Sequence, residues 1–183
     1  EEEELTRANE SIRKLTGHCA RGYRSPSWDL SAHSVELLLE HGFAYDSSMM
    51  GDDYTPYRVR NGDMIELEKP AVFGKPTRLL EMPVSWTLDD YPHFEFIRTP
   101  TWILQGLGNA NNVLANWVDD FMYLKETLEW GVITYTFHPF VIGRGHRMMM
   151  LEKLICTLKD SGAVFMKLED AAAEYDQRHP FGA

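Results

Sequence analysis

The stretch VITYTF, residues 132–137, decides the predicted fold of this chain. It consists of β-branched and aromatic residues, follows Gly131 and ends at His138-Pro139, a pattern typical of a buried β-strand. Shorter strand patterns lie at residues 22–24, 43–46, 79–83 and 163–167. Segments with helical spacing separate them, and this alternation predicts a parallel sheet covered by helices. The fold class is therefore α/β, and both an open doubly wound sheet and part of a (β/α) barrel fit.

The connecting segments are predicted from the spacing of apolar residues and from glycine, proline and capping residues. Helices are predicted at residues 2–15, 32–41, 111–130, 146–161 and 168–177. Two excursions, residues 49–76 and 86–102, lack a sustained period. Long irregular segments in a compact domain are usually functional loops. We therefore expect these excursions to cover a restricted pocket.

Composition limits the class of protein. Of 183 residues, 44% are hydrophobic and 25% are charged, which is ordinary for one globular domain over residues 1–183. The formal net charge of −10 argues against a nucleic-acid partner, because phosphate binding needs a clustered basic surface. No apolar run approaches the length of a membrane-spanning helix, so no membrane partner is expected. Cys19 and Cys156 are too few for a disulfide framework, and this cysteine usage favours a cytoplasmic location.

Unusual polar residues follow the predicted strands, where the sites of α/β proteins gather. They are Arg24, the run 46–48, Glu81 and His138. An imidazole at the exit of a buried strand can act as a general acid or base, and a structural histidine is an equal alternative for His138. Arg24 can anchor a substrate or grip a carboxylate through its planar fork, or it is an ordinary surface arginine.

Aromatic residues form the remaining candidates. Pro26 and Trp28 can shape a pocket floor or simply turn the chain and fill the core. Trp86 and Tyr57 can form a pocket wall or fasten their own loops to the body of the protein. The acidic pairs Asp52-Asp53 and Asp89-Asp90 have no histidine at ligand spacing, so we interpret them as solvated turn residues and predict no metal ligands in this chain.

Together these pieces resemble the NodB-homology polysaccharide deacetylase family. That family has an arginine-x-proline-aromatic motif after one strand, similar to Arg24, Pro26 and Trp28, and a late apolar strand ending in His-Pro, similar to residues 132–139. The runs 42–48 and 79–86 are also typical of the family. Segments 53–57 and 86–90 resemble the branch with allantoinase-like and peptidoglycan deacetylase-like proteins.

The resemblance implies a distorted (β/α) barrel, of which this chain would be the C-terminal portion. It implies a metal-dependent hydrolase of C–N amide bonds that removes acetyl groups from N-acetylated sugars in carbohydrate metabolism. His138 would protonate the leaving nitrogen, Arg24 would orient a catalytic aspartate, and Pro26, Trp28, Trp86 and Tyr57 would bind substrate. Two alternatives are hydrolysis of a small cyclic amide or ureide, as in allantoinase, and a truncated, metal-free binding module.

The family's metal site has no counterpart in this sequence. The resemblance implies a divalent metal, of the zinc type, whose aspartate and histidine ligands belong to motifs that precede the region matched here. The chain also opens inside a charged helical pattern at Glu1–Glu4. We therefore expect two partners: a missing N-terminal half that supplies the metal site, and further copies of the chain in a homo-oligomer that covers exposed strand edges.

Overall fold

The computed structural model of the protein describes residues 1–182, which form two compact units. The first unit contains residues 1–83 and the C-terminal segment that begins at Met166. The second unit is Val84–Phe165. Each unit has a buried apolar cluster of its own. Among the described residues, every helix is too short or too polar to cross a membrane.

A four-stranded sheet organises the first unit, with strand order β1-β2-β4-β3. Its strands are β1 Gly22–Tyr23, β2 Tyr45–Asp46, β3 Tyr57–Asn61 and β4 Lys75–Glu81. The first, second and fourth strands are parallel, and β3 joins β4 in the antiparallel sense at the edge. Because β1, β2 and β4 are parallel neighbours, the residues that follow them lie along one edge of the sheet.

Three helices belong to the first unit: α1 Glu2–Thr16, α2 Ser34–Glu40 and α7 Leu168–Arg178. The predicted end of α1 is confirmed, since Gly17 adopts the left-handed conformation (φ 81°) that glycine tolerates at a helix C-terminus. The core of this unit is formed by residues from the first two helices, the loops and the sheet. Its buried members are Leu5, Leu38, Phe43, Val59 and Leu79.

Helices dominate the second unit. They are α3 Asp90–Phe94, α4 Ala110–Thr127, α5 Pro139–Ile142 and α6 Gly145–Asp160, together with a two-stranded hairpin of β5 Ile97–Arg98 and β6 Ile103–Leu104. Asn109 caps α4 by accepting hydrogen bonds from the N–H groups of Asn111 and Asn112. Trp117 of α4 lies at the centre of the buried cluster and is 1% exposed.

Two predicted strands are not formed as expected. Residues 132–137 make a single parallel bridge, between Thr136 and Asp89, and residues 163–167 make no strand within the described part of the chain. Strand propensity describes how well side chains suit a pleated surface, whereas a strand requires a run of backbone partners. Val164 and Phe165 remain 75% and 59% exposed, so the second segment keeps apolar side chains uncovered.

The two excursions are more regular than the sequence suggested. Residues 57–81 form the β3–β4 hairpin, extended by a bridge between Met64 and Val72, and residues 86–102 contain a 3₁₀ turn, α3 and β5. The sequence signal for β3 is the alternation of aromatic or apolar residues with arginines over residues 57–60, a pattern typical of a strand with one buried face. Val59 lies on that face and is 2% exposed. Because these segments are not long irregular loops, the argument that they cover a restricted pocket no longer holds.

Candidate functional site

His138 lies directly after the segment 132–137 and precedes α5, which Pro139 begins. Its side chain is 35% exposed, and its Nδ1 lies 2.7 Å from Oδ1 of Asp90, which is fully buried. The backbone N–H of His138 also donates to Asp90, at 3.0 Å from Oδ2. An ionised carboxylate can only accept hydrogen bonds, so the ring nitrogen Nδ1 carries the proton of this pair, and the second ring nitrogen, Nε2, takes no part in it.

Asp89 and Asp90 correct the interpretation of this pair as solvated turn residues. They are 2% and 0% exposed, and Asp89 caps α3 by accepting from the N–H of Tyr91 at 2.7 Å. Burial raises the pKa of Asp89, and the N–H of Tyr91 partly opposes that effect. The missing information was tertiary: the N–H of Asp90 donates to Thr136, and this pairing places the acids beside His138.

The trio Asp89, Asp90 and His138 is also the one group among residues 1–182 whose His, Cys, Asp or Glu ligand atoms come close enough to surround a metal ion. Its geometry is that of hydrogen bonds. Two ligands on a tetrahedral zinc ion at about 2.0–2.1 Å lie about 3.3 Å apart, whereas Nδ1 and the Asp90 oxygen are 2.7 Å apart. In this arrangement Nδ1 and the Asp90 oxygen are hydrogen-bonded to each other, and the two atoms would have to separate to bind a metal ion.

Arg24 lies at the edge of the first unit's sheet where the parallel strands end. Its Nε donates to the carbonyl oxygen of Ser47 at 2.9 Å, and its Nη2 donates to Ser47 Oγ at 2.7 Å. Ser47 Oγ in turn donates to the carbonyl oxygen of Met82 at 3.0 Å. Residues following β1, β2 and β4 thus form one chain of hydrogen bonds, as their predicted placement at strand ends requires. Ser47 thus contacts both Nε and Nη2 of the Arg24 guanidinium.

Two acidic side chains are buried immediately beneath this chain of hydrogen bonds. Asp46 ends β2, Glu81 ends β4, and the two residues are register partners with 0% exposure each. Burial, followed by the charge of Asp46, raises the pKa of Glu81 to about 9. Burial also raises the pKa of Asp46, whereas hydrogen bonds from Ser48 lower it. Two buried carboxyl groups this close share a proton instead of both ionising.

The turn at Pro26–Trp28 follows Arg24. Ser27 and Trp28 both adopt the left-handed conformation, with φ of 53° and 57°. That conformation is costly for residues other than glycine, and such strain persists where surrounding contacts enforce it. Here the N–H of Ser25 donates to Ser48 Oγ at 2.9 Å and the N–H of Trp28 donates to the carbonyl of Ser25. The turn is therefore held to the same strand-end cluster as Arg24.

The two aromatic candidates lie in different units. Tyr57 begins β3, pairs with Glu81, and its hydroxyl accepts from the N–H of Gly51 at 3.2 Å. Burial raises the pKa of Tyr57 to about 12, so its hydroxyl stays protonated near neutral pH. Trp86 begins a 3₁₀ turn in the second unit and is 42% exposed. Tyr57 thus lies next to the buried acids, and Trp86 presents a large aromatic surface.

Comparison of the sequence with known proteins relates this chain to proteins named as deacetylases. The peptidoglycan deacetylase of Helicobacter pylori is 35% identical over 192 aligned residues, covering 98% of this chain and 65% of that protein. The chain is therefore similar, over nearly its whole length, to a peptidoglycan deacetylase. The peptidoglycan deacetylase-like protein FGM2 of Gibberella zeae is 27% identical, over 88% of the chain and 53% of its own length. No family model matches the chain.

Solved structures agree with this similarity to deacetylases. Proteins assigned as polysaccharide deacetylases from Mycobacterium smegmatis and Pseudomonas aeruginosa superpose with TM-scores of 0.77 and 0.76, each at 26% identity. PuuE allantoinase shares the fold, with a TM-score of 0.73 at 24% identity. The chain covers 54–56% of these structures and 53–65% of the curated relatives. The predicted family and the α/β fold of the polysaccharide deacetylase type are thus confirmed.

Proposed function

We propose that the protein is a hydrolase of C–N amide bonds that removes acetyl groups from an N-acetylated carbohydrate polymer. The observation that carries this proposal is the pairing of His138 Nδ1 with the buried carboxylate of Asp90 at 2.7 Å. The relatives named as peptidoglycan and polysaccharide deacetylases support the choice of bond and substrate class. The fold is shared with an allantoinase, so a small cyclic amide is a second substrate to include in the assay.

In this proposal, His138 is the general acid. Asp90 fixes the ring through two hydrogen bonds, one from Nδ1 and one from the backbone N–H, and leaves Nε2 to face the substrate. Water adds to the acetyl carbon, the C–N bond breaks, and Nε2 delivers its proton to the departing sugar nitrogen. The products are acetate and an amine. Asp90 is the positioning residue, since its carboxylate holds the imidazole in place through Nδ1.

Arg24 has a separate role in the proposal. The resemblance implies that its guanidinium orients the aspartate that takes the proton from water. Ser47 accepts from Nε and Nη2 and thereby fixes the direction of the guanidinium. Pro26, Trp28, Trp86 and Tyr57 remain proposed substrate contacts. The divalent metal that the resemblance implies, and the N-terminal portion expected to hold it, likewise remain proposals.

The test is hydrolysis by the complete protein, including the expected N-terminal portion, and by its His138→Ala variant. His146→Ala is the matched control because His146 is an exposed histidine of α6. Acetate release from peptidoglycan and from an N-acetylglucosamine oligomer should occur, and His138→Ala should lower kcat by about 10²–10⁴-fold. His146→Ala should match the unaltered protein. Hydrolysis of allantoin without acetate release would replace the proposed substrate class, and no hydrolysis of either would refute an enzymatic role.

Metal content separates two roles for His138. A general acid can be removed without loss of the ion, so His138→Ala should retain the divalent metal measured in the unaltered protein by elemental analysis. Loss of the metal from His138→Ala, with retention in His146→Ala, would make His138 a ligand and refute its role as acid.

A further inference from the structure

The roles described so far for the proposed hydrolysis do not include the buried acids Asp46 and Glu81. They lie side by side on neighbouring parallel strands, and neither side chain reaches solvent. Placing two negative charges together away from water is strongly unfavourable, and the arrangement is stable when the pair keeps one proton. Tyr57 on β3 is the register partner of Glu81, and its hydroxyl cannot supply a positive charge.

The contacts of Glu81 show which acid holds that proton. Its Oε1 accepts from the N–H groups of Ser48 and Met49, at 2.8 Å each, whereas its Oε2 is buried without a hydrogen-bond partner while both acids are ionised. Asp46 already accepts from the hydroxyl and the N–H of Ser48. A proton on Glu81 turns the unpaired oxygen into a donor, and hydrogen bonding with Asp46 accordingly raises the pKa of Glu81 and lowers that of Asp46.

These contacts fix the short turn that follows β2. Both acids bind Ser48, and Ser47 is the preceding residue. Ser47 uses its carbonyl and its hydroxyl to accept from Arg24, and its hydroxyl donates to Met82, the residue after Glu81. The direction of the Arg24 guanidinium is therefore set by a turn that the acid pair holds in place.

We propose that Glu81 is a positioning residue, kept as a neutral carboxylic acid beside Asp46, that sets the direction of Arg24 through Ser47. The part that concerns Arg24 rests on the proposed function, whereas the protonation of Glu81 does not. Glutamine is the closest neutral substitute, since its carbonyl can accept from Ser48 and Met49 while its amide donates to Asp46.

Infrared difference spectroscopy tests the protonation directly. The intact protein at pH 7 should show the C=O stretching band of a protonated carboxyl group in a dry environment, and Glu81→Gln should lack it. Glu66→Gln is the control, because Glu66 is an exposed glutamate in the β3–β4 hairpin. Absence of the band from the unaltered protein, or its persistence in Glu81→Gln, would overturn the proposal.

Kinetics test the link to Arg24. Glu81→Gln should keep kcat/KM close to that of the unaltered protein, whereas Glu81→Ala should lower it by about 10–100-fold. If the effect passes through Arg24, adding Glu81→Ala to Arg24→Ala should cost little more. Leu79→Ala is the control for lost stability, because Leu79 is fully buried in the same strand and belongs to the apolar core. Its effect should be equal in both backgrounds.

The outcomes are distinguishable. Equal losses for Glu81→Gln and Glu81→Ala, or full additivity with Arg24→Ala, would refute positioning by a neutral acid. Should Glu81→Ala fail to fold, Ser47→Ala replaces it, since it removes the hydroxyl that links Arg24 to Met82. An unaltered protein without hydrolytic activity would refute the proposed function, and the infrared band would still decide the state of Glu81.

Discussion

Replacing Glu81 with glutamine should change how the stability of the protein depends on pH. The pKa of Glu81 is about 9 in the folded protein and near 4.5 in its ordinary state, so between these values the folded protein holds one proton more than the unfolded chain. A group with a raised folded-state pKa contributes stability that is complete below pH 4.5 and is lost as pH rises toward 9. Each pH unit in that window should lower the free energy of unfolding by about 1.4 kcal/mol.

Glu81→Gln carries no titrating proton at this position, so its stability lacks that decline. Relative to the unaltered protein, it should gain about 3 kcal/mol between pH 5 and pH 7. Urea unfolding followed by circular dichroism at pH 5, 6, 7 and 8 measures the difference. Glu66→Gln should run parallel to the unaltered protein, because Glu66 is exposed and pairs with Lys69 at the surface. A constant difference between Glu81→Gln and the unaltered protein would refute the buried neutral acid.

Further predictions concern the other strand-end residues. Arg24→Lys should be nearly as damaging to kcat as Arg24→Ala, since lysine keeps the charge but loses the fork that holds Ser47; near-normal activity of the lysine variant would contradict this. Ser27→Gly should raise the free energy of unfolding by about 1 kcal/mol, because glycine tolerates φ of 53°, and an unchanged urea midpoint would show that no strain is stored there. Asp90→Asn should lower kcat with little change in KM, and a pure KM effect would show that Asp90 does not act through His138. The chain should self-associate or bind an added N-terminal portion in sedimentation velocity, as the exposed Val164 and Phe165 require a cover; a compact monomer that binds neither would refute this.

Features decided by local sequence were predicted well. The left-handed Gly17 ends α1 as expected, and α6 and α7 lie within one residue of their predicted bounds. Helix α4 begins at Ala110, one residue before its predicted start, because Asn109 supplies the N-terminal cap. It ends at Thr127, three residues before its predicted end. Caps and apolar spacing act over a few residues, so a single sequence carries them.

Features that depend on distant pairing were predicted poorly. The placement of Asp90 beside His138 requires the bridge between Asp89 and Thr136, and the contact of Asp46 with Glu81 requires the register of two strands. Neither follows from composition or spacing. The position of Arg24 after β1 was nevertheless predictable, because carboxyl ends of parallel strands collect polar side chains in α/β proteins.

The path of the chain through its two units has a consequence for synthesis. The first unit is interrupted after Pro83 and is completed only by the segment from Met166 onward. Arg58 of β3 secures that segment by pairing with Asp176 of α7 and by donating to the carbonyl of His179 at 2.9 Å, across about 120 residues of sequence. Closing a loop of that length costs roughly 4 kcal/mol of chain entropy.

A ribosome therefore releases all of Val84–Phe165 before the first unit can acquire its last helix. Because a ribosome adds about 5–20 residues per second, several seconds pass between synthesis of the sheet around Arg58 and synthesis of α7. The inserted unit has its own buried cluster, which includes Trp117, so it can fold during that interval. The last helix, α7, is therefore added to the first unit after the whole inserted unit has been synthesised.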